Sequence, residues 1–251
     1  MFGGLPFSGQ GGDRIVSKAV TAAIAALFER TEKLEANVRA EPVAKLLQGS
    51  IDSFELISNS MLMYNGLRIE SMELYLQSVA IDFGAIFQGQ VKLRQPTQAT
   101  MRVVLTQDDL TTSFNTPFVI DKLQRLQFRE QPLHFQNTEM TLNDDKSLRI
   151  QSQIQIGNAG EPVAVDFTAR LQTEDRRKIR FVDVTYAGEA AAVELGQAIV
   201  AHVNQLLDLD KFALDGTQLR VDRVRQQKQQ LIFYGIAQIE RFPRRDSKSA
   251  A

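Results

Sequence analysis

Cysteine is absent from all 251 residues, which excludes disulfides, thiolate metal sites and cysteine nucleophiles together. That absence fits a reducing compartment without requiring one. An excess of one charge sign is missing too: 29 basic and 30 acidic residues leave a formal net charge of −1. A chain so balanced lacks the global field that draws a protein to nucleic acid. No stretch reaches the roughly 18 consecutive apolar residues that cross a bilayer as a helix. The apolar run Ala19 to Phe28 is interrupted by Thr21 and followed by Glu29-Arg30 without a small-residue cleavage site, so no secretory signal is expected. Only two histidines occur, His134 and His202, and neither stands at ligand spacing from the other. Nucleophile elbows, Walker loops and strand-anchored dinucleotide fingerprints are all missing. Asp108 and Asp109 are adjacent and do not face one another on a helix. Asn143-Asp144-Asp145 lacks the glycine and downstream glutamate of a calcium loop. No catalytic residue, cofactor or metal is expected.

What the chain does have is alternation. Val163, Val165, Phe167, Ala169 and Leu171 alternate with Ala164, Asp166, Thr168 and Arg170, the period of a sheet with one buried face. Leu148, Ile150, Ile154 and Ile156 do the same against Arg149, Gln151, Gln153 and Gln155. With 43% hydrophobic and 24% charged residues, the chain has enough apolar surface for a core and is not expected to be disordered except at its ends.

Asp13 is placed to cap a helix running to about Arg30, with Ile15, Val16, Ala19, Val20, Ala23, Ile24 and Leu27 as its apolar stripe. A strand from Leu34 to Ala40 follows, then a short helix from Val43 to Gln48 closed by Gly49. Ile51 to Ser58 resumes strand, and Asn65-Gly66 is a hairpin turn. The next strand, Leu67 to Phe83, changes phase twice, which implies bulges or a strong bend. Val91–Leu93 and Met101–Leu105 are strands around Pro96. Thr106-Gln-Asp-Asp109 spells a capping box, and Pro117 breaks the helix it opens, with a second segment to about Leu126. Strands are expected over Leu133–Leu142, Leu148–Ile156, Pro162–Thr173 and Lys178–Tyr186, then a helix over Glu189–Leu207 and closing strands Thr217–Val224 and Gln229–Ile239. This organises the chain as a flexible segment 1–12, a single domain 13–242 and a basic flexible tail 243–251.

Two basic clusters stand out. Arg176-Arg177-Lys178, with Arg180, falls at a hairpin tip, and Arg244 and Arg245 lie in the tail. Near an anionic surface each such residue contributes roughly 1 kcal/mol. No aromatic residues interleave with them as a nucleic-acid stacking surface needs.

Several strings resemble the bacterial LmeA-like phospholipid-binding proteins. They are Leu34 to Gly49 running into Ser50-Ile-Asp-Ser-Phe54, then Leu67-Arg-Ile-Glu-Ser-Met-Glu-Leu74, the junction Val104-Leu-Thr-Gln-Asp-Asp-Leu110, and Leu219-Arg-Val-Asp-Arg-Val224. The resemblance covers roughly residues 14 to 240. It implies a tubular-lipid-binding-like fold, a highly curved antiparallel sheet wrapped against long helices, and phospholipid as the partner. The expected class is therefore α+β: a long, curved antiparallel sheet packed against two principal amphipathic helices. The missing export signal and lipobox favour a cytoplasmic or membrane-peripheral protein.

The first functional reading is a non-enzymatic phospholipid-binding or lipid-transfer protein holding acyl chains between sheet and helices. Its candidate lining residues are Leu110, Phe114, Phe118, Val165, Phe167, Ile199 and Val203, and its candidate membrane or head-group contacts are Arg176, Arg177, Lys178, Arg244 and Arg245. The second is a protein-interaction scaffold with a filled core. A hydrolase assembled from separated segments is a distant third. The sequence sets no oligomeric state.

Overall fold

The computed structural model describes residues 17–18, 20–22, 24–25, 28–42, 44–86, 92–158, 160–210 and 217–241. The expected flexible segment 1–12 and tail 243–251, with Arg244 and Arg245, lie outside the described residues.

The α+β class holds, with the antiparallel strands divided between two sheets. Strands β1 (Arg30–Arg39), β2 (Ser50–Leu62), β3 (Arg68–Ala80), β4 (Thr97–Thr106), β10 (Thr217–Gln227) and β11 (Gln230–Ile239) form a six-stranded sheet ordered β1-β2-β3-β4-β11-β10. Between β4 and β10 the chain builds the five-stranded sheet β5-β6-β7-β8-β9, from β5 (Gln127–Phe128), β6 (Gln131–Leu142), β7 (Leu148–Ile156), β8 (Val163–Glu174) and β9 (Lys178–Ala187). Short helices α1 (Ala44–Leu47) and α2 (Phe83–Ile86) sit in connections. Helices α3 (Gln107–Phe114) and α4 (Pro117–Leu123) link the two sheets, and α5 (Ala190–Leu206) follows the second.

The described residues between Ser17 and Ala25 are helical, and Val20 and Ile24 bury themselves on the six-stranded sheet. This helix stops sooner than expected, because Arg30 already belongs to β1. Its polar side covers the sheet edge: Ser17 Oγ accepts from the Val38 amide and Thr21 Oγ1 from the Ala36 amide, each at 3.0 Å. Two backbone donors that an edge strand would otherwise expose are thereby satisfied.

The phase changes of β3 need no bulge. Its register with β2 is unbroken from Ser50↔Ala80 to Leu62↔Arg68. The shifts are taken by left-handed residues, Ser78 (φ 53) in β3 and Ser60 (φ 49) in β2. Around Ser78 the buried side chains pass from Leu76 to Val79, so the strand changes face while keeping its partner. Bulges occur elsewhere, one of them in the same sheet, between Val221 and Arg223 of β10, and two in the second sheet. Register shifts fall between Gln136 and Glu139 on β6, where Asn137 has φ 46, and near Asp183 on β9, which has φ 52.

The capping box forms as spelled. Thr106 Oγ1 accepts from the Asp109 amide at 3.1 Å, and Asp109 Oδ2 accepts from the Thr106 amide at 2.9 Å. Pro117 occupies the first turn of α4, capped by Thr116, and α4 ends at Leu123, short of the expected Leu126. The closing strand β10 runs past the expected Val224 to Gln227.

Candidate functional site

Helix α5 lies over the inner face of the five-stranded sheet. Leu195, Ile199, Val200 and Val203 pack against Leu133, Phe135, Leu148, Ile150, Ile154, Val165, Phe167 and Phe181 in one apolar cluster. The rings of Phe167 and Phe181 are 6.2 Å apart, and Phe167 and Tyr186 are 5.9 Å apart, both tilted. Burial beside them pushes the Tyr186 hydroxyl pKa up.

In the middle of this cluster lies a void of about 10 Å³, lined by Phe114, Phe135, Thr138, Ile150, Ser152, Ile154, Val165, Phe167, Phe181, Ile199 and Val203. That is the room of about one water molecule. Five candidate residues meet there: Phe114 from α3, Val165 and Phe167 from β8, Ile199 and Val203 from α5. Leu110 packs against the same cluster but is not in the wall, and Phe118 lies under the Lys122 ammonium, 4.9 Å from its ring centre.

The wall is apolar except for one hydroxyl pair. Thr138 Oγ1 and Ser152 Oγ are buried and share one hydrogen bond at 2.7 Å, and Ser152 Oγ also donates to Gln136 O at 3.4 Å. Asn115, just beyond α3, holds Thr138 by both backbone groups: its Nδ2 donates to Thr138 O at 2.6 Å and its Oδ1 accepts from Thr138 N at 3.0 Å. Thr111 Oγ1 also accepts from the Met140 amide at 3.1 Å. The end of α3 is thus tied to the bulged part of β6, which places Phe114 over the void.

A second space is larger and open. A cleft of about 840 Å³ runs between the two sheets, lined by Asp144, Asp145, Lys146, Arg170, Leu171, Val224, Arg225, Gln226, Gln227 and Leu231. At one end, Val221 of β10 donates its amide to Arg176 O at 2.9 Å. At the other, Gln226 Nε2 donates to Asn143 O at 2.6 Å and Ser147 O at 3.2 Å. Leu171 and Val224 pack against the cores of both sheets.

The basic hairpin tip also lies on this seam. Arg176 pairs with Asp222, Arg177 approaches Asp210 at 3.8 Å, and Arg180 meets Glu174 at 2.6 Å. Lys178 bridges Asp208 in the backbone ladder. The cluster therefore reaches the surface with carboxylates already beside its guanidinium groups.

Among the described residues, no three histidine, aspartate or glutamate side chains group as metal ligands. Nor is any described helix long and apolar enough to cross a membrane. A family model described as LmeA-like phospholipid-binding matches residues 8–236. The chain belongs to the LmeA-like phospholipid-binding family. No curated protein and no solved structure matched it.

Sequence reasoning about this LmeA-like chain missed half of the void's wall. Phe135, Ile150, Ile154 and Phe181 carried the correct strand period, but nothing distinguished them from ordinary core. Ser152 did leave a trace, since it occupies the polar gap between Ile150 and Ile154 in an otherwise apolar row. The cleft left none, because its walls come from three segments distant in sequence.

Proposed function

We propose that this LmeA-like chain holds a phospholipid without transforming it, laying acyl chain against the inner face of the five-stranded sheet beneath α3 and α5. The observation that carries this reading is the void among Phe114, Val165, Phe167, Ile199 and Val203, apolar but for one hydrogen-bonded hydroxyl pair. At about 10 Å³ it is the closed form, so a chain enters only if α5 or α3 lifts from the sheet. Each buried methylene contributes about 0.8 kcal/mol, so ten supply about 8 kcal/mol against the lost helix contacts. Arg176, Arg177 and Lys178 are the surface this reading offers to a membrane, together with Arg244 and Arg245 of the tail. It makes the protein peripheral to a membrane and suits it to lipid transfer.

The test is incubation with phospholipid vesicles carrying a photoactivatable acyl chain, followed by native mass spectrometry and mapping of the label. A one-to-one adduct labelled on α5 and β8 is expected. A clean apo mass after irradiation would overturn the reading. The filled-core scaffold, which the tight packing of this seam favours, would then be the better account.

A further inference from the structure

The inter-sheet cleft is a second feature that tight packing of the α5 seam does not explain. Its volume of about 840 Å³ falls in the range of small-molecule sites. Its floor is apolar, with Leu231 buried and Leu171 and Val224 half-buried. Its rim is charged. The side chains of Lys146 and Arg225 have no ion-pair or hydrogen-bond partner among the described residues, nor does that of Asp144. Arg170 has only a long approach to Asp183, 3.9 Å. Asp145 is occupied differently: its Oδ1 accepts from the Ser147 amide at 3.0 Å and the Ser147 hydroxyl at 2.6 Å. These bonds hold its carboxyl below the usual range and keep it anionic beside Arg170.

The cleft also adjoins the acyl seam. Leu171, on its floor, is the direct cross-strand partner of Phe181, which lines the void. A single cross-strand pair thus has one member on a charged, open cleft and the other on an apolar, closed void, the polarity order of a phospholipid itself.

We propose that this cleft is the head-group site, with Lys146 and Arg225 taking the phosphodiester and Asp144 taking a head-group ammonium, so that the ligand is a zwitterionic phospholipid carrying a primary amine. The assignment rests on the lipid-binding reading above. Cations alone would suit any phosphate. The free carboxylate beside them adds an acceptor for an ammonium and repels a net anionic head group.

The full chain is incubated with mixed vesicles of equimolar phosphatidylethanolamine and phosphatidylglycerol, and adducts are counted by native mass spectrometry. Wild type is expected to carry mainly phosphatidylethanolamine. Lys146→Asn with Arg225→Gln should lower both adducts about tenfold or more, since each removes a charge-assisted contact. Asparagine tolerates the left-handed backbone of Lys146 (φ 67), and both positions are exposed, so the fold is retained. Asp144→Asn should shift the ratio towards phosphatidylglycerol. Arg170→Gln, on β8, provides an independent variant of the cleft wall and should weaken both adducts. A double variant that keeps both adducts at wild-type level overturns the head-group site and leaves lipid binding standing. An equal or larger phosphatidylglycerol adduct on wild type overturns the amine assignment. No adduct on wild type overturns the lipid-binding reading and this inference with it.

Discussion

The two sheets bury their inner faces with different materials. The six-stranded sheet uses small and branched side chains: Ala36, Ala40, Ala99 and Ala237 lie in its core, and Phe54 is its one fully buried ring among the described residues. The five-stranded sheet buries Phe128, Phe135, Phe167 and Phe181 beneath α5. Small residues let backbone approach backbone, whereas rings hold a helix off and leave a gap where their shapes do not mesh. The sheets also bend differently. In the first, β2 and β3 change face at left-handed serines without losing register and β10 takes one extra residue between Val221 and Arg223, while the second shifts register on both β6 and β9. The bulge on β6 contains Thr138 of the hydroxyl pair, so that irregularity sits at the void itself.

The largest effect should come from emptying either core. Leu195→Ala, on the buried face of α5, and Leu76→Ala, in the six-stranded sheet, remove side chains 0% and 2% exposed. Each should cost about 3 kcal/mol. If the sheets fold as one unit, calorimetry will show a single transition that both variants lower. Two transitions, each moved by only one variant, would divide the molecule at the inter-sheet seam.

A smaller contrast sets one buried hydroxyl against another. Thr138→Val removes a partner from Ser152 and should cost about 1–2 kcal/mol in urea unfolding. Ser58, fully buried in the six-stranded sheet, has no hydrogen-bond partner among the described residues. Ser58→Ala should therefore be neutral or stabilising by up to about 1 kcal/mol. Equal losses at the two sites would end this distinction between the sheets.

The smallest effect is on the outer face of the second sheet. Hydrogen bonds from Arg149, at 2.9 and 2.5 Å, hold the Asp166 carboxyl below the usual range. A depressed folded-state pKa means that the contribution is present above the unfolded value of about 4. It is then lost as pH falls through the folded value. Because the Arg149 side chain is 45% exposed, the pair is worth under about 1 kcal/mol. Asp166→Asn should thus be slightly less stable than wild type at neutral pH and equal to it in acid. A difference that persists at the acid end would assign the effect to something other than this ion pair.

Much of the fold was legible where local chemistry decides it. The Thr106–Asp109 box, the break at Pro117 and the strands from β6 to β9 follow from neighbours in sequence, and the structure agrees to within a few residues. The phase shifts of β3 were legible as a bend, but not the means, since a left-handed serine and a bulge leave the same trace in hydrophobic periodicity. Of the candidate site, the apolar faces of α5 and β8 were each legible from periodicity, but whether the two faces meet or stand apart was not. That Phe118 would turn away under Lys122 was not, because Leu110, Phe114 and Phe118 keep four-residue spacing across a break between helices.

The sequence by itself determined which residues form strands and helices, which face of each is apolar, and where α3 begins and α4 is broken off from it. Those outcomes depend on contacts within a few residues along the chain. Only the tertiary structure decided that the strands divide into two sheets, that the α5 seam closes to the room of one water, and that Lys146, Leu171 and Arg225 share one cleft. These depend on how separated surfaces meet, and a periodicity records that a face is buried without recording what buries it.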